Sequence, residues 1–263
     1  MKKKLTIKDI VDLKGKRQLT EVHPKSEEEC RACEAAGIDM LIVEEDVEMV
    51  RRGAPNTFLT VGAMTPEVAC SDAGAIRVGI DRMQRGADAV YTGQSIERVR
   101  AMAREKLPVV GHVGLVPYRS SWYGGMRAVG KTAPEALNIY REVLAYQDAG
   151  AIAVEMEVVP EKIAAEISRR VDITVISLGS GLGCDAQYLF ACDILNITDG
   201  HIPRHAKTYT DLQPELARIQ EMRVNAFRAF HEDVTGNHFP EPKHSIKIED
   251  REFDTFMSEI DKI

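Results

Sequence analysis

An alternation along the chain constrains its fold more than any other feature. Short runs rich in Val and Ile, many apolar on both faces, are separated by longer stretches with helical spacing of apolar residues. The runs fall at about 18–23, 39–44, 57–62, 87–91, 107–112, 151–157, 173–178 and 194–197. Strands apolar on both faces belong to parallel sheets that are covered on both sides. Several intervening stretches close on glycine, at Gly37, Gly86 and Gly150, as helix C-termini do. Eight strands, each followed by a helix or helical turn, predict an α/β fold of the (β/α)8 TIM barrel type; an open doubly wound sheet is the alternative. After about residue 210 the pattern changes to a long charged helix, Leu212 to about His231, and then a polar tail. The expected organisation is one barrel domain over 1–263, with 211–263 as its C-terminal helix and tail.

Charge and composition narrow the functions. The 263 residues carry 34 Lys and Arg against 41 Asp and Glu, a net charge of −7, with 44% hydrophobic and 29% charged residues. That is a globular composition with ample material for a core. An acidic chain lacks the dense basic face that nucleic-acid binding requires, so no nucleic-acid partner is expected. No apolar run approaches the ~20 residues of a membrane span, so no membrane partner is expected either. The basic start Met1-Lys2-Lys3-Lys4 leads into mixed sequence without an apolar h-region, which points to the cytoplasm rather than to secretion. Five cysteines suit a reducing compartment better than a disulfide framework. Cys30-Arg31-Ala32-Cys33 has redox or zinc spacing, but it lies in Ser26–Gly37, which reads as a capped helix, and no second such pair exists. Two helical cysteines are the plainer reading.

In a barrel the chemistry sits at strand C-termini. Those positions hold His23, Glu44, Glu45, Asp46, Gly62, Tyr91, His112, Glu155, Glu157, Gly179, Ser180, Asp199 and His201, much richer in acids and imidazoles than a structural strand end needs. His112, between Gly111 and Gly114, is a candidate acid, base or substrate ligand; a buried histidine bonded to a carbonyl is the structural alternative. The two flanking glycines would let backbone pass close to a ligand. Glu155 and Glu157 flank Met156, so on a strand both face one way, and Glu157, nearer the strand end, is the candidate general base. A structural ion pair is the alternative. The acidic cluster Glu44-Glu45-Asp46 could hold Mg²⁺ or could complement a helix N-terminus. Gly179–Asp185, with Ser180, is a glycine-rich turn read as entering a helix, suited to an anion or simply to a tight turn. Ser120–Arg127, with the only Trp, reads as a lid or a subunit contact.

Specific stretches carry a family resemblance. Arg51-Arg52-Gly53-Ala54-Pro55-Asn56, Gly111-His112-Val113-Gly114-Leu115, Tyr123-Gly124-Gly125, Glu157-Val158-Val159-Pro160, the turn from Gly179 to Gln187 and His201-Ile202-Pro203-Arg204-His205-Ala206-Lys207 resemble ketopantoate hydroxymethyltransferases. Phe239–Ile246 resembles that family's tail, and the resemblance runs from about residue 5 to 248. It implies a barrel of the phosphoenolpyruvate mutase/isocitrate lyase kind assembled into a homo-oligomer. It also implies Mg²⁺, a small 2-oxo acid substrate and methylenetetrahydrofolate as co-substrate, with hydroxymethyl transfer as a step of pantothenate biosynthesis. By this resemblance Glu157 is the base that forms the enolate and His112 binds substrate.

The chain departs from that pattern where the family binds its metal. Glu44-Glu45-Asp46 stands for the family's Gly-Asp-Ser, which makes Glu45 the one remaining metal candidate and puts Asp46 at a substrate-carboxylate position. The next metal-binding acid falls at Gly62. The substrate-binding lysine falls at Tyr91, and a further metal-binding acid falls at Gly93. Glycine offers no side-chain oxygen. The expected substrate-binding set is Asp46, Tyr91, Ser180 and His23. Beside the family activity, two alternatives stand: a divergent lyase, decarboxylase or tautomerase with a rebuilt site, and a non-catalytic paralogue that binds a small acid.

Overall fold

The computed structural model describes residues 3–260 and 262; Met1 and Lys2 of the basic start lie outside them. Eight parallel strands close a barrel in sequence order. They are β1 (Leu19–His23), β2 (Met40–Val43), β3 (Phe58–Gly62), β4 (Ala89–Tyr91), β5 (Val109–Gly114), β6 (Ala153–Glu157), β7 (Thr174–Leu178) and β8 (Ala186–Phe190). The fold is therefore the (β/α)8 barrel and not the open sheet. Compactness divides the chain into two units, Met1–Asp211 with the barrel and Leu212–Ile263. The second unit holds a 23-residue helix, Gln213–Thr235, and a short one, Asp250–Ile260. Within it Phe239 packs between Phe230 and His244. No helix among the described residues is long and apolar enough to cross a membrane.

Strand alternation sorts side chains into two cores. Leu19, Met40, Phe58, Ala89, Val110, Ala153, Ile176 and Ala186 point inward and form one buried cluster. Ile10 of helix α1 (Ile7–Leu13) joins the same cluster, so α1 closes the N-terminal end of the barrel. Outward residues pack on the surrounding helices: Leu41, Leu59 and Val61 with α2 (Glu27–Ala36) and α3 (Val47–Gly53), and Val113, Val154 and Met156 with α7 (Ala133–Ala149) and α8 (Glu161–Arg170). Between β3 and β4 stand α4 (Pro66–Cys70) and α5 (Asp72–Arg85), and after β4 comes α6 (Ile96–Arg104). The three predicted glycine stops are left-handed C-caps, with φ of 85° at Gly37, 116° at Gly86 and 93° at Gly150. None of the five cysteines forms a disulfide, and Cys30 and Cys33 lie on α2 behind the Ser26 cap.

Three aspartates brace the N-terminal end by one repeated device. Asp39, Asp88 and Asp185 each stand one residue before a strand. Each accepts a backbone N–H from a neighbouring strand: Thr20 at 3.0 Å, Leu59 at 2.9 Å and Val175 at 2.9 Å. Each also meets a cation: Arg17 at 2.9 Å, Arg51 at 2.7 Å and Lys14 at 2.6 Å. Burial alone would raise the Asp39 carboxyl, but the Arg17 and Thr20 hydrogen bonds hold it below its ordinary value. Arg51 further donates to the Gly86, Ala54 and Thr57 carbonyls. A Cβ on Gly53 would lie 2.5 Å from the Glu27 carbonyl of α2. The Arg51–Asn56 motif is thus structural.

The eighth strand corrects the sequence reading. Residues 194–197 are not a strand; they follow from the one-turn helix α9 (Ala191–Ile194), and β8 lies earlier, at Ala186–Phe190. The glycine-rich turn from Gly179 runs straight from β7 into β8, so no helix begins there and no helix N-terminus is available to an anion. The reason is periodicity. Ala186, Tyr188 and Phe190 alternate inward, whereas Ile194 and Leu195 only pack from outside.

Candidate active site

The C-terminal mouth of the barrel opens on a cavity of about 480 Å³. His23, Tyr91, His112, Glu155, Glu157, Glu44 and Glu45 line it, and no Lys or Arg does so among the described residues. β5 and β6 supply its centre. They pair in parallel with His112 opposite Glu155 and Gly114 opposite Glu157, so imidazole and carboxylates converge on one inward face. His112 Nε2 lies 3.1 Å from Glu157 Oε2 and 3.7 Å from Glu155 Oε1. No hydrogen-bond partner lies in line with Nε2, so these contacts are ionic rather than aligned hydrogen bonds. The other ring nitrogen, Nδ1, bonds the Tyr91 hydroxyl.

Burial and neighbouring charges shift the protonation of this cluster. Burial pushes the Glu155 carboxyl up to about 7, although His112 opposes the shift. Burial alone would lower His112, but the Glu155 and Glu157 charges more than offset it and leave the imidazole raised. A protonated His112 donates from Nδ1 to the Tyr91 oxygen. Burial, and then the Glu155 charge, raises the Tyr91 phenol well above its ordinary value, so it stays a neutral donor. Beneath them, on β1, Glu21 is fully buried, and neither of its oxygens has a partner among the described residues. Burial, then the Glu155 charge, lifts it to about 8. Burial lowers His23, whose Nδ1 is also unpartnered and whose ring packs on Phe190.

Backbone geometry fixes the strand ends. Val158, next to Glu157, has φ of 50°, an uncommon conformation for a β-branched residue that typically costs 1–3 kcal/mol. Its N–H donates to the Leu178 carbonyl at 2.8 Å, and its carbonyl accepts from Val129 at 3.2 Å. The next N–H, of Val159, donates to Ser180 Oγ at 3.0 Å, and Ser180 Oγ donates to the Met156 carbonyl at 2.8 Å. The glycines around His112 serve packing rather than a ligand. A Cβ on Gly111 would lie 2.5 Å from the Tyr146 ring of α7, and one on Gly114 would lie 2.3 Å from the Glu157 carbonyl.

Of the residues expected at the site, Glu157, His112, Tyr91, His23 and Glu45 line the cavity. Two stand elsewhere. Asp46 caps α3, accepting the Met49 N–H at 2.9 Å, because an acid before a helix finds free N–H groups there. Ser180 is buried in the β6–β7 hydrogen bonds just described. Glu45 is largely exposed and reaches only Arg82, at 4.0 Å. Glu155, which the sequence pairs with Glu157 on one face, also lines the cavity, and Glu21 stands beneath them without having been expected, although period-2 alternation places it on the same face as Leu19 and His23. Trp122 is exposed on a 3₁₀ turn, Pro117–Tyr123.

The positions corresponding to family metal ligands do not fit Mg²⁺. A Cβ on Gly62 would lie 2.6 Å from the Glu44 carbonyl oxygen, so backbone fills that space. At Gly93 the Tyr118 ring stands 3.4 Å from where a Cβ would be, and Tyr118 and Arg119 both donate to the Gly93 carbonyl.

A family model described as ketopantoate hydroxymethyltransferase matches residues 44–242. The 3-methyl-2-oxobutanoate hydroxymethyltransferase 1 of Methylibium petroleiphilum is 34% identical over 86% of this chain and 75% of its own. The corresponding protein of Deinococcus radiodurans is 32% identical over 85% of this chain and 86% of its own. Among solved structures, 2,3-dimethylmalate lyase, a PEP mutase/isocitrate lyase superfamily member, superposes with a TM-score of 0.55 at 12% identity, covering 85% of this chain and 88% of that one. Phosphonopyruvate hydrolase gives 0.53 at 12% identity, over 91% and 93%. At such identities the likeness is one of fold.

Proposed function

Because the chain belongs to the ketopantoate hydroxymethyltransferase family, we propose that it enolises a small 2-oxo acid in the barrel mouth. The observation that carries this reading is the buried His112–Glu155–Glu157 cluster at the floor of the cavity. Glu157 is the more exposed of the two carboxylates, at 12% against 5%, and an entering ligand meets it first. It takes the proton from the carbon next to the carbonyl. His112 and the Tyr91 hydroxyl face the cavity as neighbouring donors, placed to stabilise the enolate oxygen. Glu155, near neutrality, holds the proton that keeps the cluster from carrying two adjacent bare charges.

The family reaction, hydroxymethyl transfer from methylenetetrahydrofolate, starts with this proton step, and we assign it to this chain as a cytoplasmic homo-oligomeric enzyme. Gly62 and Gly93 supply no ligand for Mg²⁺ at the family position, and neighbouring groups fill their space. One observation favours a second reading, a lyase, decarboxylase or tautomerase: Tyr91 replaces the expected lysine, and among the described residues no Lys or Arg lines the cavity to pair a substrate carboxylate.

The test is exchange of C3 protons of 2-oxo acids into D₂O, read by NMR. The wild type should exchange at least one of them. Glu157→Gln should lower the rate about 10²–10⁴-fold while the protein stays folded. Absence of exchange across 3-methyl-2-oxobutanoate and its shorter and longer homologues would overturn the enolate reading in favour of a binding protein.

A further inference from the structure

We propose that His112 Nε2, Glu155 and Glu157 form a binding site for one divalent first-row transition-metal ion, displaced across the barrel mouth from the family's metal position. One donor atom from each residue lies within 4.8 Å of the others. Ligands about 2.0–2.2 Å from a shared ion stand at most about 4.4 Å apart, so small side-chain adjustments complete the set. Two adjacent, paired strands carry all three, which makes the triad rigid at the backbone.

The imidazole is prepared for such a role. Nδ1 is tied to the Tyr91 hydroxyl, the kind of partner that fixes the orientation of a metal-binding histidine. Nε2 is buried, faces the cavity and has no aligned hydrogen-bond partner. A second unpartnered group stands on β1: neither oxygen of fully buried Glu21 has a partner among the described residues. No Lys or Arg among the cavity's described lining competes for these acids. Chemistry selects the ion: one imidazole with two carboxylates suits Mn²⁺, Fe²⁺, Co²⁺ or Zn²⁺ better than Mg²⁺, which prefers oxygen ligands and retained waters.

The ion would take the same His112 and Glu157 that the reaction proposed above uses metal-free, so metal-bound and metal-free protein are alternative states, and the inference is tested on the protein itself. Full-length chelator-treated protein is titrated with Co²⁺, followed by ligand-field absorption, and with Zn²⁺ and Mg²⁺ by calorimetry. One Co²⁺ or Zn²⁺ should bind per chain, with Mg²⁺ at least about tenfold weaker. Glu155→Gln should weaken Co²⁺ at least about tenfold, whereas Glu45→Ala should leave it unchanged. In wild-type protein, Zn²⁺ should shift the His112 Nε2 resonance in long-range ¹⁵N spectra, a reading that survives even if the variant misfolds. Absence of stoichiometric binding, an unmoved Nε2 resonance, or binding that depends on Glu45 instead of Glu155 would overturn the site. C3 exchange, measured separately on metal-free protein, reports on the reaction alone.

Discussion

The two ends of the barrel treat the same residue types in opposite ways. At the N-terminal end Asp39, Asp88 and Asp185 are buried or half-buried acids, each with a cation and a strand N–H. At the C-terminal mouth Glu21, Glu155 and Glu157 are acids of similar or greater burial that form no ion pair with a Lys or Arg among the described residues, and there Glu21 has no partner. Paired acids stabilise strand register; unpaired acids cost stability and persist where a ligand or proton is to be handled. Burial of an acid therefore says little about its purpose until its partners are counted.

That contrast can be broken at several points. The largest stability effect is expected at the braced end: Asp185→Ala strands Lys14 and the Val175 N–H. A broken buried pair costs about 3–5 kcal/mol, which lowers the melting temperature by roughly 6–20 °C in calorimetry. The opposite sign is expected from Glu21→Met. With its folded value near 8 against an ordinary 4.5, Glu21 holds its proton in the folded state after the unfolded chain has lost it. Wild-type stability from this group is present below about pH 4.5 and lost as pH rises toward about 8. Removing an unsatisfied buried polar group contributes about 1–3 kcal/mol, so Glu21→Met should raise the melting temperature at pH 8, and by less at pH 5. A variant that melts lower at both pH values would mean that Glu21 is paired. Ser180→Ala leaves the Val159 N–H without its acceptor, for about 1–3 kcal/mol of lost stability and unchanged substrate affinity; a rise in KM alone would return Ser180 to the substrate site. Least of all, Asp46→Ala removes one exposed N-cap, about 0.5–2 kcal/mol in denaturant unfolding, without altering ligand binding.

Much of the fold was legible because its signals are local. Val/Ile runs covered on both faces, and glycines at helix ends, read directly as β1–β7 and their helix stops. β8 was hidden because Gln187 and the aromatic residues of Ala186–Phe190 make a weaker apolar run than Ile194–Ile197, although their alternation fits the barrel interior. At the site, Glu157 and His112 were legible from strand-end position. Glu155's elevation to about 7 was not, because it arises from burial among neighbours brought by other strands. Asp46 illustrates the converse: a strand-end acid is drawn to the nearest helix N–H groups, and sequence alone does not say whether cavity or cap claims it.

The central claim is that the mouth acids act chemically while the braced acids hold the fold. Glu157→Gln and Asp185→Ala, compared side by side for C3 exchange per folded molecule and for melting temperature, test it most directly. The account predicts that Glu157→Gln loses about 10²–10⁴-fold in exchange with melting within a few degrees of wild type, whereas Asp185→Ala melts roughly 6–20 °C lower and exchanges at the wild-type rate. A Glu157→Gln variant that exchanges normally and melts as low as Asp185→Ala would contradict it.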